Sequence, residues 1–565
     1  MRHVCSSSHI TALALCVALA LGGLGCAKKS STTSTSSNCT AIDGIPWTPS
    51  ISSTGISASS NGAEVTKTTL TASGPVTGLG QAAPASREID VEIDMTEDLG
   101  AFGSISLIAN VTGMPAGLEG SAYPALVYLS DGTHDFINLA RSGSSGDCAQ
   151  NGYYTCSGAS CTSNSACLVN WPSAFFDRTH WQQHQVPSFG YGSVNTFPSC
   201  NWSEGSPAPS TDSACAFNTH FFPSEYTTPR LRYGVKYHAK YVLLAANYAT
   251  VTTAASAQLE VSVIKKKEAT TTVGGTVDLN VVIVGSDNIV ASRTAKGKQN
   301  LDTLFTLVQQ YFGHDNVGVK LGNVNAIEWG CEGGGDSYAN VGAMKLGDMF
   351  AGSRDLIPAA SELKAMNIFL VSTIDDDVSG DGSNLTILGL SGAIGGPMLR
   401  GTPASGLAFS SFDKLATYNP LCSGSSSCAI EKQEADFVDM GATIAHEMGH
   451  YLGLNHPTEA QGSKHDVVYD TPVCTARSAS SGYITISSCL NSDTHVYSPT
   501  GKTCKQVCTG YSSSGGVFCP DAMECQFNHI MWWTSKNFKE GTALGDGNVF
   551  SPDSAMIINY NPFIQ

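Results

Sequence analysis

The stretch TIAHEMGHYLGLNHP, residues 443–457, restricts the fold more than any other part of this chain. His446 and His450 stand four apart, a spacing that stacks both imidazoles on one face of a helix and lets them hold one ion. The preceding residues keep the same period. Phe437, Met440, Ile444, Met448 and Leu452 form one apolar stripe, so a helix is expected over 434–453. Gly453 can take the left-handed conformation that ends a helix and turns the chain. His456 can then swing back as a third ligand. Three neutral imidazoles leave one coordination position for water, the arrangement of a catalytic rather than a closed structural zinc site. Glu447 is offset around the helix from the histidines, so it serves as a general base and not as a ligand. It would take the proton of a water whose pKa zinc lowers from about 15.7 toward 7. Surface histidines beside a core face could explain a bare H-E-x-x-H. The added glycine and third histidine are separate demands that such a face does not make.

The compartment is read from the two ends of the composition. The chain has 565 residues, a formal charge of -17 and only 14% charged residues, with abundant Ser, Thr and Gly. Its length implies two or three domains, and its charge argues against nucleic acid or an anionic membrane face as a partner. Residues 1–26 read as a signal peptide, with Arg2 and His3 before an apolar run from Ala12 to Leu24 that is too short to span a membrane. Small residues ending at Cys26 resemble a bacterial lipobox, which would make Cys26 the lipidated first residue; conventional cleavage is the alternative. The expected location is a bacterial outer membrane or cell surface through a lipid anchor, or otherwise secretion.

Patterning divides the rest. Residues 27–80 read as a Ser/Thr-rich tether and a segment of low order. Period-two runs follow in REIDVEIDM, SISLIANV, PALVYLS, KYVLLAANYATV and AQLEVSVIKKK, as in a β-sandwich. The Cys-, Gly- and Ser-rich residues 142–216 read as stapled loops. After about residue 270 the pattern changes. VDLNVVIVG and MNIFLVSTI are nearly continuous apolar runs, as for strands covered on both faces. Between them Leu301, Leu304, Phe305, Val308 and Phe312 share one helical face. The expected fold class is therefore multidomain, with an N-terminal all-β, sandwich-like domain over 81–270 and an α/β catalytic domain over 271–565.

H-E-x-x-H-x-x-G-x-x-H is the metzincin signature, and the second half of the chain resembles that family of zincin metalloendopeptidases. CQFNHIMWWTS supplies a candidate methionine turn at Met531. HDVVYDTPVC and the closing FSPDSAMIINYNPFI resemble the pappalysin family. The resemblance covers roughly 277–565. It implies a two-lobed endopeptidase acting on protein or peptide substrates, with one zinc on His446, His450 and His456, Glu447 as base, and Met531 beneath the site. Trp533 stands where many metzincins place a tyrosine near the metal, so no tyrosine role carries over. Ala404–Ser411 is expected as the cleft-facing edge strand that would pair with an extended substrate.

Two further expectations concern ions and cysteines. Asp375, Asp377, Ser379 and Asp381 open like a calcium-binding loop, but the twelfth position is Thr386 instead of glutamate; a solvated acidic turn is the favoured reading and Ca2+ the alternative. Of the 19 cysteines, 16 follow Cys26, an even number for an oxidising compartment. Seven precede the boundary near 270 and nine follow it, so either one bridge crosses between the halves or one cysteine in each stays free. Cys39 and Cys331 are the most isolated of their sets and form the expected odd pair. A reading from a different class, a surface-anchored binding protein with a vestigial protease domain, has against it the intact Glu447 and three histidines.

Overall fold

In the computed structural model, the described residues are 39–53, 60–77, 88–99, 103–112, 122–132, 135–138, 233–245, 256–267, 274–314, 317–375, 386–410, 430–454, 456, 530, 531 and 550–565, with short strand segments between 154 and 200 and between 484 and 518. Among them the strands gather mainly into a nine-stranded sheet and a five-stranded sheet. No helix among them is long and apolar enough to cross a membrane.

The nine-stranded sheet contains β1 (Glu64–Thr77), β2 (Ile89–Met95), β3 (Ser104–Thr112), β4 (Ala122–Ser130), β5 (Asp135–Asn138), β6 (Val186–Ser188), β7 (Tyr191–Asn195), β8 (Val235–Ala245) and β9 (Ser256–Lys267). Its order is β5-β4-β8-β1-β9-β3-β7-β6, with β2 also on β8. β1 runs antiparallel to β9 along most of its length, and its last residues, Val76 and Thr77, pair parallel with β8. The period-two reading of β2 is visible in the structure: Ile89, Val91, Ile93 and Met95 are buried and the residues between them exposed. They pack with Leu107, Tyr237, Tyr241 and Val261 in one apolar cluster.

Two expectations need amendment. Residues 142–216 were expected as loops, yet short strands occur there, and β6 and β7 extend the nine-stranded sheet along β3. Their few residues between turn-formers carry too little alternation to be seen in sequence. The segment 27–80, expected to have low order, contains β1 and the buried Trp47. Trp47 stacks on Phe305 with ring centroids 5.8 Å apart and donates Nε1–H to Asp302 at 2.9 Å. Ile42 offers its carbonyl to Arg293, whose guanidinium also holds Glu328 in a two-pronged ion pair. Cys39 and Cys331 are bridged, their Cα atoms 5.8 Å apart, the odd pair expected from cysteine parity and their isolation in sequence. Residues 39–53 are thus strapped across the half of the chain that begins more than 200 residues later.

The five-stranded sheet is built from β10 (Gly275–Val284), β11 (Val319–Trp329), β12 (Ala365–Leu370), β13 (Gly389–Ser391) and β14 (Leu407–Phe409), in the order β11-β10-β12-β14-β13. Pairings are parallel except β13 on β14. Continuous burial of Leu279–Val284 and Met366–Leu370 fits strands covered on both faces, each run including one buried asparagine. Asn280 and Asn367 satisfy each other at 2.9 Å across the strands, which ties the register. Between β10 and β11 lie α1 (Ser286–Arg293) and α2 (Ala295–Phe312), the latter capped by Thr294, whose hydroxyl accepts from Gly297 N–H. All five residues expected on its apolar face are fully buried. Among the described residues this half also holds a short α3 (Leu346–Gly352), the long α4 (Ile430–Tyr451) and α5 (Pro552–Tyr560).

The edge strand differs from expectation. Leu407–Phe409, inside the stretch 404–411, is an interior strand, and Gly389–Ser391 is the antiparallel edge. Two short apolar segments on the same side of α4 read alike in sequence, and only pairing decides which is outermost.

Candidate metal centre

The helix α4 carries His446, Glu447 and His450, and its apolar stripe seats it: Met440, Ile444, Met448 and Leu452 are all buried. It ends as the sequence suggests. Gly453 has φ 112°, a value that strains any side-chain-bearing residue, and its N–H returns to the carbonyl of His450 at 2.9 Å. The turn brings His456 back over the helix. Ring centroids of the three histidines then lie 4.6, 4.7 and 5.1 Å apart.

Hydrogen bonds decide what these rings can hold. Nδ1 of His446 contacts the carbonyl of Ile530 at 2.8 Å, and Nδ1 of His450 contacts the carbonyl of Leu454 at 2.7 Å. A carbonyl only accepts, so both Nδ1 atoms carry the proton and both Nε2 atoms present lone pairs. Those Nε2 atoms face Nε2 of His456, at 3.0 Å from His450 and 3.2 Å from His446. Three imidazole nitrogens this close form a donor set for one cation. Zinc–nitrogen distances of about 2.0–2.1 Å in a tetrahedral shell put neighbouring ligand nitrogens roughly 3.3 Å apart, close to the separations found. The donor set therefore fits zinc, and among the described residues it is the group of His, Cys, Asp or Glu side chains that converges tightly enough for an ion.

Glu447 is 8% exposed, and burial pushes its carboxyl up to about 7. The nearby His456 and a hydrogen bond from the backbone N–H of Ser391 act in the opposite direction. The edge strand β13 approaches this carboxylate closely: a Cβ on Gly389 would lie 2.7 Å from Cγ of Glu447. His450 is driven well below the ordinary histidine range by burial and by its two histidine neighbours, which keeps it neutral. Met531 is fully buried in a turn beneath α4, near enough that a Cβ on Gly449 would meet its sulfur at 2.4 Å.

With that arrangement established, similarity to known proteins takes its place. Residues 405–507 match the model of the Reprolysin (M12B) family zinc metalloprotease. The Reprolysin match contains β14, all of α4 and the three histidines, and with their convergence it supports a metzincin-type zinc metalloprotease. No curated protein matches the chain.

The site residues read from sequence divide in two. His446, Glu447, His450, Gly453, His456 and Met531 come together. Asp375 ends a short strand, Thr373–Asp375, while Asp377, Ser379, Asp381 and Cys26 lie outside the described residues. Sequence reasoning missed Ser391, Gly389 and the carbonyls of Ile530 and Leu454. Backbone groups leave no residue-type signal, and a glycine in ILGLS is one of 58.

Proposed function

We propose that the chain is an exported zinc endopeptidase in which His446, His450 and His456 hold the metal and Glu447 is the general base. The carrying observation is the set of Nε2 atoms with protons committed elsewhere, beside a buried carboxylate. Bound zinc supplies Lewis-acid polarisation of a peptide carbonyl and acidifies water. Glu447 accepts the proton released as water attacks and returns it to the leaving amine. Ser391 N–H orients that carboxylate. The edge strand Gly389–Ser391 offers its outer backbone to an extended substrate, which places the scissile bond beside Glu447.

The finer reading adds two parts. The nine-stranded sheet is an all-β unit ahead of the peptidase half, and a lipid on Cys26 would hold the protein at a bacterial surface. The pappalysin likeness rests on Asp470, Thr471, Pro472 and the final helix. Purified protein should cleave casein or gelatin, lose that activity to a zinc chelator, and regain it when zinc is restored. Zinc-loaded protein that leaves a broad peptide library intact would overturn the reading in favour of a surface binding protein.

A further inference from the structure

The two sheets meet at the end of the last helix, and the contacts there are polar and buried. Lys266, near the end of β9, is 0% exposed; its ammonium donates to the carbonyl of Asn559 and lies 3.4 Å from that of Asn561. Ser104, the first residue of β3, is equally buried and donates its hydroxyl to the carbonyl of Tyr560 at 2.7 Å. Three consecutive carbonyls at the C-terminal end of α5, a place where helices leave their acceptors unpaired, are thus served by side chains of the other sheet. A cation there also opposes the helix dipole. Gly274, in the connection between the sheets, donates its N–H to Oδ1 of Asn559 at 2.6 Å.

What these bonds hold is Asn561. Its Nδ2 donates to the carbonyl of Leu452 at 3.0 Å, and its Oδ1 accepts from Phe563 N–H at 3.0 Å. Leu452 is the residue before Gly453, where the chain leaves the histidine-bearing helix. The ring of Phe563 packs on Tyr451 at 5.6 Å between centroids. Asn561 is therefore fastened at the turn whose next carbonyl but one, Leu454, orients His450, and which delivers His456.

We propose that Ser104 and Lys266, acting through Asn561, are positioning residues for the third histidine: the nine-stranded sheet caps the last helix, and that cap fixes the turn at 452–454. The proposal rests on the reading of the three histidines as zinc ligands. Under it the β-sheet half is a working part of the metal centre, and its removal loosens the metal.

The test is the rate of zinc release from the full-length protein to a chromophoric chelator. Asn561→Leu keeps the side-chain volume and removes the donor to Leu452; Lys266→Met keeps the aliphatic stem and removes the ammonium. Both should release zinc about 10–100-fold faster than wild type, in step with the 10–100-fold loss of metal affinity typical when ligand-supporting contacts are removed. Lys266→Arg, which retains a cation, should restore most of the retention. Val261→Ala, which opens a cavity in the buried core of the same sheet, should lower the melting temperature without changing release. If Lys266→Met does not fold, Ser104→Ala carries the same comparison with a smaller expected acceleration. Release at the wild-type rate from Asn561→Leu and from Lys266→Met or Ser104→Ala, with His456→Ala losing zinc, would overturn the positioning role and leave the zinc site standing. Wild-type protein that takes up no zinc would instead sink the ligand reading itself.

Discussion

Glu447→Gln should stabilise the zinc-free protein, and do so increasingly as pH rises. In the folded chain the carboxyl titrates near 7, raised from 4.5 chiefly by burial. The folded state therefore holds this proton more tightly than the unfolded state does. Between about 4.5 and 7 folding takes up a proton, and stability falls as pH rises through that window. A shift from 4.5 to about 7 corresponds to on the order of 3 kcal/mol, nearly all of it exacted by pH 8 and about 1 kcal/mol or less at pH 5. Glutamine has the same shape and cannot ionise, so it escapes this loss. Its pH-independent amide contribution, and the titration of His450, cancel when the same pair of proteins is compared at two pH values. The assay is thermal unfolding of chelator-treated wild type and variant at pH 5 and pH 8. The expected result is a gain in melting temperature at pH 8 that shrinks at pH 5, alongside loss of peptide hydrolysis by several orders of magnitude in the zinc-loaded variant. A difference equal at both pH values would show that burial does not hold Glu447 in its protonated form.

Gly389→Ala places a methyl 2.7 Å from Cγ of Glu447 and 3.1 Å from Cγ2 of Thr443. It should lower kcat at least about tenfold with zinc content unchanged, since small displacements of a reacting group are costly; steady-state kinetics beside metal analysis will separate the two. Trp47→Ala empties a site 2% exposed and stacked on Phe305, and should destabilise the protein by about 3–5 kcal/mol in denaturant titration. Non-reducing peptide mapping should recover Cys39 joined to Cys331, and replacing both by alanine should lower stability by roughly 2–4 kcal/mol.

The centre was legible in the sequence because its chemistry is local. His446, Glu447 and His450 obey helical spacing, and Gly453 and His456 follow within six residues, so helix geometry and one glycine turn bring them together. Met531 was found through its resemblance, not its pattern. The edge strand was misplaced because pairing order is not written in a three-residue segment; Gly389–Ser391 and Leu407–Phe409 are both short, with glycine and serine in or beside them. Trp47 was lost in a Ser/Thr-rich stretch where a single aromatic has no period. The bond from Asn561 to Leu452 spans 109 residues, and Lys266 to Asn559 spans 293; no local signal foretells such pairs. Cysteine parity, together with the isolation of Cys39 and Cys331 in sequence, succeeded at a comparable range, 292 residues, because counting covers the whole chain without needing geometry.

The central claim is that one zinc on three histidines, with Glu447 beside it, hydrolyses peptide bonds. Titrating chelator-stripped protein with zinc, and measuring bound metal and peptide hydrolysis at every addition, tests it most directly. Activity should rise in proportion to bound zinc and level off at one equivalent, while Glu447→Gln binds the same equivalent and stays inactive. Hydrolysis that persists without metal, or a Glu447→Gln variant retaining more than about a tenth of the wild-type rate, would contradict the account.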